Sequence, residues 1–133
     1  MSLTFNLEAD QQLTREVVIA VLKASGVNCI VEEEWGLSCN FPRSNMLFAF
    51  RNNNNSFPTE VLAEGISSPA LWKVGARLSF TYVVANYDDC GADLHLFLNN
   101  LMELNSAYFI LSFQYEGVYA IRDEKGFKIF EKF

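Results

Sequence analysis

The sequence predicts an α+β fold: two helix-plus-antiparallel-meander units, in the order α-β-β-β … β-α-β-β-β, with both helices packed on a twisted antiparallel sheet. Two helical periodicities and the strand alternation after each carry this expectation. Leu13, Val17, Ala20, Val21 and Ala24 share one helical face, widened by Val18 and Leu22. Leu94, Phe97, Leu98, Leu101 and Leu104 form a second such stripe. After each stripe the apolar period drops from about 3.6 to 2, the change that marks passage from helix to strand.

In chain order, the first helix is expected over 7–25, with Asn6 or Thr4 as its cap and Ser25-Gly26 as its stop, since glycine accepts the left-handed conformation at a helix end. Val27, Cys29 and Val31 alternate with polar neighbours, as do Trp35, Leu37, Cys39 and Phe41, so two strands flank a solvated turn at Glu32–Glu34. If that turn is short, Cys29 and Cys39 approach cross-strand register, and both read as small buried hydrophobes. Pro42–Asn45 is a turn and Met46–Phe50 a third strand. The asparagine run 52–55 with Ser56 reads as an exposed loop. Ser56-Phe57-Pro58 and Ser68-Pro69 open two short helices that close before Gly65 and Gly75, anchored by Val61-Leu62 and Leu71-Trp72. Leu78, Phe80, Tyr82 and Val84 make a half-buried strand. Asp88 and Asp89 cap the second helix, and strands follow at 108–115, 118–121 and 127–130.

At 133 residues, 50% of them hydrophobic, the chain is expected to form a single domain with a substantial core. The net charge is −6, and residues 88–133 hold eight acids against four bases. An acidic chain without a basic block repels a phosphate backbone, so nucleic acid is not the expected partner. The acidity has two readings: it keeps an apolar domain soluble, or it meets a basic protein. No run of 18 apolar residues and no secretory leader are visible, so no membrane association is expected. Three cysteines, an odd number without a dense framework, point to the reducing cytoplasm.

The order of elements resembles the secretion-chaperone-like fold shared by type III secretion chaperones and the YbjN-like group. The residues that carry the resemblance are the first helix ending in Ala24-Ser25-Gly26, the strand-turn run Val31-Glu-Glu-Glu-Trp-Gly36, and a second helix ending at Leu104-Asn105 before three strands. Those chaperones carry a further C-terminal helix where this chain reads as strand over 127–133. The resemblance implies a protein that binds another protein, without catalysis.

The chemistry-bearing residues agree with a binding role. His95 is the only histidine, which excludes a two-histidine metal site, and Asp93 lies two residues away on a different helical face. No nucleophile elbow, P-loop, dinucleotide fingerprint or zinc-protease motif occurs, and neither a cofactor nor a metal is expected. The expected function is therefore a small acidic non-enzymatic protein-binding module, chaperone-like, acting through an apolar sheet face and an acidic edge. Its candidate contacts are Glu32, Glu33, Glu34, Trp35, Asp88 and Asp89. A variant of this reading is an immunity protein that neutralises a basic toxin. An alternative from another class is a small-molecule-binding domain or enzyme with a pocket between sheet and helices, near Tyr82, Tyr87, Cys90 and His95. Apolar side chains on both faces of the 108–115 strand, Ile110 against Phe109 and Phe113, also lead to the expectation of a homodimer or a partner chain covering the second face.

Overall fold

The computed structural model describes residues 3–52, 58–64 and 72–133. Among these residues, eight strands form one antiparallel sheet and two helices lie on it. The elements are β1 (Leu3–Ala9), α1 (Arg15–Ala24), β2 (Ile30–Glu33), β3 (Gly36–Asn40), β4 (Leu47–Asn52), β5 (Ala76–Tyr82), α2 (Tyr87–Leu104), β6 (Phe109–Phe113), β7 (Gly117–Asp123) and β8 (Gly126–Ile129). A single 3₁₀ turn, Val84–Asn86, leads into α2. The predicted α+β class and antiparallel sheet are observed.

The start of the chain differs from the expected 7–25 helix. Leu3, Phe5, Leu7 and Ala9 alternate with Thr4, Asn6 and Glu8, and this period-2 stretch is a strand in the middle of the sheet. The helix begins only at Arg15. Its cap is Thr14, not Asn6 or Thr4, and the Thr14 hydroxyl accepts from the Val17 amide at 3.4 Å. Its end follows the sequence: Gly26 sits at φ +91°, and the Gly26 and Val27 amides return to the Lys23 and Leu22 carbonyls. At α2, Asn86 occupies the cap position, and Asp88 and Asp89 lie two and three residues further on, in the first turn, where carboxylates are favoured by the positive end of the helix dipole.

Pro58–Glu64 is irregular rather than helical, because its backbone is committed elsewhere: the Leu62 and Ala63 amides donate to the Glu8 carboxylate, and the Glu64 amide to the Tyr115 carbonyl. The first half of the second expected short helix, 68–71, and most of the asparagine-rich loop, 53–57, lie outside the described residues; the second half, 72–74, is not helical, and there the Val74 amide donates to the Thr59 carbonyl. Cys39 is buried as expected. Cys29 is exposed, because Ile30 and not Cys29 pairs with Cys39 and β2 begins at Ile30 rather than at Val27.

The sheet order is β2-β3-β4-β5-β1-β6-β7-β8. The expected repetition of a helix and meander holds for the order of elements and not for their placement. From β1, α1 carries the chain to the far edge at β2, and the meander walks inward to β4, beside β5. From β5, α2 steps over β1 to β6, and the second meander walks outward to β8. Each helix links strands that run the same way, a connection a tight hairpin cannot make.

Both helices pack on the same face. Phe5, Leu7, Leu37, Phe48, Phe50, Leu78, Phe80, Phe109 and Leu111 point toward Val18, Val21 and Leu22 of α1 and Leu94, Phe97, Leu98 and Leu101 of α2 in one continuous core. Phe97 is central to it, its ring 5.1 Å from that of Phe80 and 5.4 Å from that of Phe48. On the opposite face Ile110 is only 3% exposed within the single chain, so burying it requires no second copy.

Candidate functional site

Among the described residues, the opposite face of the sheet carries no helix. Cross-strand register arranges its side chains in rows. One row crosses Ser38, Ala49, Ser79, Asn6 and Ser112 on β3, β4, β5, β1 and β6. Its neighbour crosses Arg51, Arg77, Glu8 and Ile110. Small residues in the first row beside long ones in the second leave a cleft of about 250 Å³, lined by Asn6, Ala49, Arg51, Arg77, Leu78, Ser79 and Tyr115.

Two features build the walls. Arg77 is held from below and beside: one guanidinium nitrogen donates to Glu8, and the other donates to the Pro58 carbonyl at 2.8 Å and the Glu60 carbonyl at 2.9 Å. Glu8 is fully buried, and it also accepts from the Leu62 and Ala63 amides at 2.7 and 3.0 Å. A buried pair is favourable only when its remaining lone pairs and protons are satisfied in this way. The second wall is Tyr115. It lies in the β6–β7 turn, closed by the Glu116 amide donating to the Phe113 carbonyl at 2.9 Å, and its ring stands 6.0 Å from the Arg77 guanidinium. Gln114 and Tyr115 both adopt left-handed conformations, φ +51° and +64°. That combination favours Asn-Gly, and side chains without it cost roughly 1–2 kcal/mol per residue. The turn is therefore strained in the act of presenting the tyrosine.

Arg51 is the other cation of the cleft. Its guanidinium lies 5.3 Å from the centre of the Trp35 ring, and it makes no ion pair or hydrogen bond among the described residues. Gly36 allows this neighbourhood to close up, since a Cβ there would run into the Phe50 carbonyl.

The six residues singled out as contacts separate into two places. Glu33, Glu34 and Trp35 form the exposed β2–β3 turn beside Arg51. Glu32 turns toward the helical side and pairs with Arg15 at 3.6 Å, and Arg15 also donates to the Glu33 carbonyl at 3.0 Å. Asp88 and Asp89 are exposed on α2, whose start is tied to Ser44, beyond the Asn40 end of β3. The two acidic groups thus lie toward opposite ends of a five-residue strand, on the order of 15 Å apart, and do not form one patch.

Among the residues considered for a pocket under the helices, the space is filled. The His95 ring stacks on Phe133 at 4.1 Å, and its Nε2 lies 3.3 Å from the Phe133 oxygen. Cys90 is buried, with its sulfur accepting from the Val83 amide. Tyr82 packs edge-on to Tyr87 at 5.2 Å; burial first, then the neighbouring Tyr87 and Cys90, raise its phenol above the ordinary value. Burial also pushes the Cys39 thiol up to about 12. No group of three or more metal-ligating side chains converges among the described residues.

The cleft residues are the ones that sequence reasoning missed. Their signal was the polar half of each alternation: Thr4, Asn6 and Glu8 on β1, Arg77, Ser79 and Thr81 on β5. It was illegible once residues 7–10 were assigned to a helix. No described helix is long and apolar enough to cross a membrane. Comparison of the chain with protein-family models, with curated proteins and with solved structures finds no match.

Proposed function

We propose that the protein is a non-enzymatic binding module, chaperone-like in manner, that docks another protein on the helix-free face of its sheet. The observation that carries this reading is the one-sided placement of both helices. It leaves Val31 and Leu47 more than half exposed on the bare β2–β4 side, with Trp35 41% exposed at its corner. Singly exposed apolar residues are ordinary; here they share one flat face. Glu33 and Glu34 rim that face, and the chain carries a net charge of −6. The partner that fits is a protein presenting apolar side chains flanked by lysine or arginine, steered in by opposite charge. Three free cysteines accord with work in the cytoplasm.

The test is capture from native lysate followed by size-exclusion chromatography with light scattering, for the wild type, for Leu47→Asp and for Glu33→Lys/Glu34→Lys. A stoichiometric partner lost on either change, with circular dichroism intact, is the expected result. A partner retained by both variants, or a monomer that captures nothing, removes the proposal.

A further inference from the structure

We propose that the cleft between Arg51, Arg77 and Tyr115 is a binding site for a small organic carboxylate, held by Arg51 with its body against the Tyr115 ring. Unlike the protein-docking reading, this inference concerns the isolated chain and stands without a partner.

Unused hydrogen-bonding capacity is the first support. Arg51 offers five N–H donors in a fixed fork, and among the described residues it meets only the face of Trp35. Asn6 is about nine-tenths buried and lines the cleft, yet its amide has no hydrogen-bond partner there; neither has the Ser79 hydroxyl. The polar atoms of both reach solvent in the cleft and keep hydrogen-bonding capacity that a bound ligand can take up. A carboxylate accepts from the guanidinium through two parallel bonds, while Asn6 and Ser79 lie on the floor for its second oxygen or a neighbouring polar atom.

Charge and size narrow the class. Glu8 already compensates Arg77, so one positive charge, that of Arg51, remains in the lining. A monoanion balances it; a phosphate dianion leaves a net negative charge in a chain that is already acidic. The volume of about 250 Å³ falls just under the roughly 300 Å³ at which pockets for drug-sized ligands begin, which suits a compact molecule. The strained turn supplies the remaining wall; left-handed residues held without glycine are among the strained positions found at ligand clamps. The lining contains no histidine, cysteine or free carboxylate, so it binds and does not turn its ligand over.

The experiment is an ¹⁵N-correlation NMR titration of the whole chain with sodium benzoate, with inorganic phosphate, and with a capped Gly-Glu-Gly peptide. The expected result is saturable benzoate shifts clustered at Asn6, Arg51 and Ser79, with weaker binding of phosphate and peptide. Arg51→Gln, a surface change, lowers the benzoate affinity at least tenfold with the rest of the spectrum unchanged. Tyr115→Gly lowers it several-fold while raising the denaturation midpoint, a divergence that a purely structural tyrosine would not give. Shifts that do not saturate by about 20 mM, well beyond millimolar affinity, overturn the proposal. So does unchanged affinity in Arg51→Gln. Tighter binding of phosphate, or of the glutamyl peptide, overturns it in favour of those ligands.

Discussion

Glu8 occupies the middle of the central strand without solvent exposure and accepts from two backbone amides and one guanidinium. Its removal leaves Arg77 buried beside polar atoms that no longer balance it. Glu8→Ala is therefore expected to cost about 3 kcal/mol or more in urea denaturation. The apolar double replacement Glu8→Leu/Arg77→Met is expected to recover most of that loss, because an uncompensated charge costs more than a missing pair. Cys39 gives a second residue-scale outcome. Its thiol, ordinarily near 9.0, is raised to about 12 in the fold, so the folded state disfavours the thiolate relative to the unfolded chain. The sign follows: the contribution is fully present below pH 9 and is lost as pH climbs toward 12. Wild-type stability should fall more steeply between pH 9 and 11 than that of Cys39→Val, and at neutral pH a thiol reagent should label Cys29 and spare Cys39. The sequence made burial of Cys39 legible through alternation with Leu37 and Phe41. The same kind of alternation, Val27, Cys29 and Val31, points to burial of Cys29 as well, and it misleads because β2 begins only at Ile30.

At the scale of elements, the hairpin β2–β3 and its neighbour β4 depend on one glycine. Gly36 lies at φ +154° with the Phe50 carbonyl in the space a Cβ would take. Gly36→Ala is expected to destabilise by more than about 1 kcal/mol and to disturb the Trp35–Arg51 contact, read as altered tryptophan fluorescence. The helices and seven of the eight described strands were legible because their periodicities are long or bounded by turn residues; Leu94 to Leu101 admits no strand reading, and Ser25-Gly26 admits no continuation. β1 was not. The helical stripe begins only at Leu13, whereas Leu3, Phe5, Leu7 and Ala9 alternate as a strand. Extending the helix back to residue 7 hid that alternation, and the pairing of β1 with β5, with Glu8 against Arg77, fixes it as strand. The segment 58–64 failed for a tertiary reason. Its proline punctuation suits a helix, but its amides are taken by Glu8 and it lies flat across the sheet.

For the molecule as a whole, the class was readable and the topology was not, since nothing local to either meander records that one walks inward and the other outward. That difference also governed the candidate site. A cleft assembled from β1, β4, β5 and the β6–β7 turn exists only in the observed strand order. The same order has a consequence for how the chain is made. Of these eight strands β1 is made first and has β5 and β6 as its neighbours, so it waits some seventy residues for its first pairing partner. During that interval Phe5 and Leu7 have no sheet to enter, and loop closure delays the step further. Stalled nascent chains ending near residue 60 should be digested readily by protease at the N-terminal segment, while chains with β5 and β6 clear of the exit tunnel should resist. The interval before β5 emerges is then the time at which a holdase has most to shield, and slowing translation between β4 and β5 should raise aggregation rather than yield.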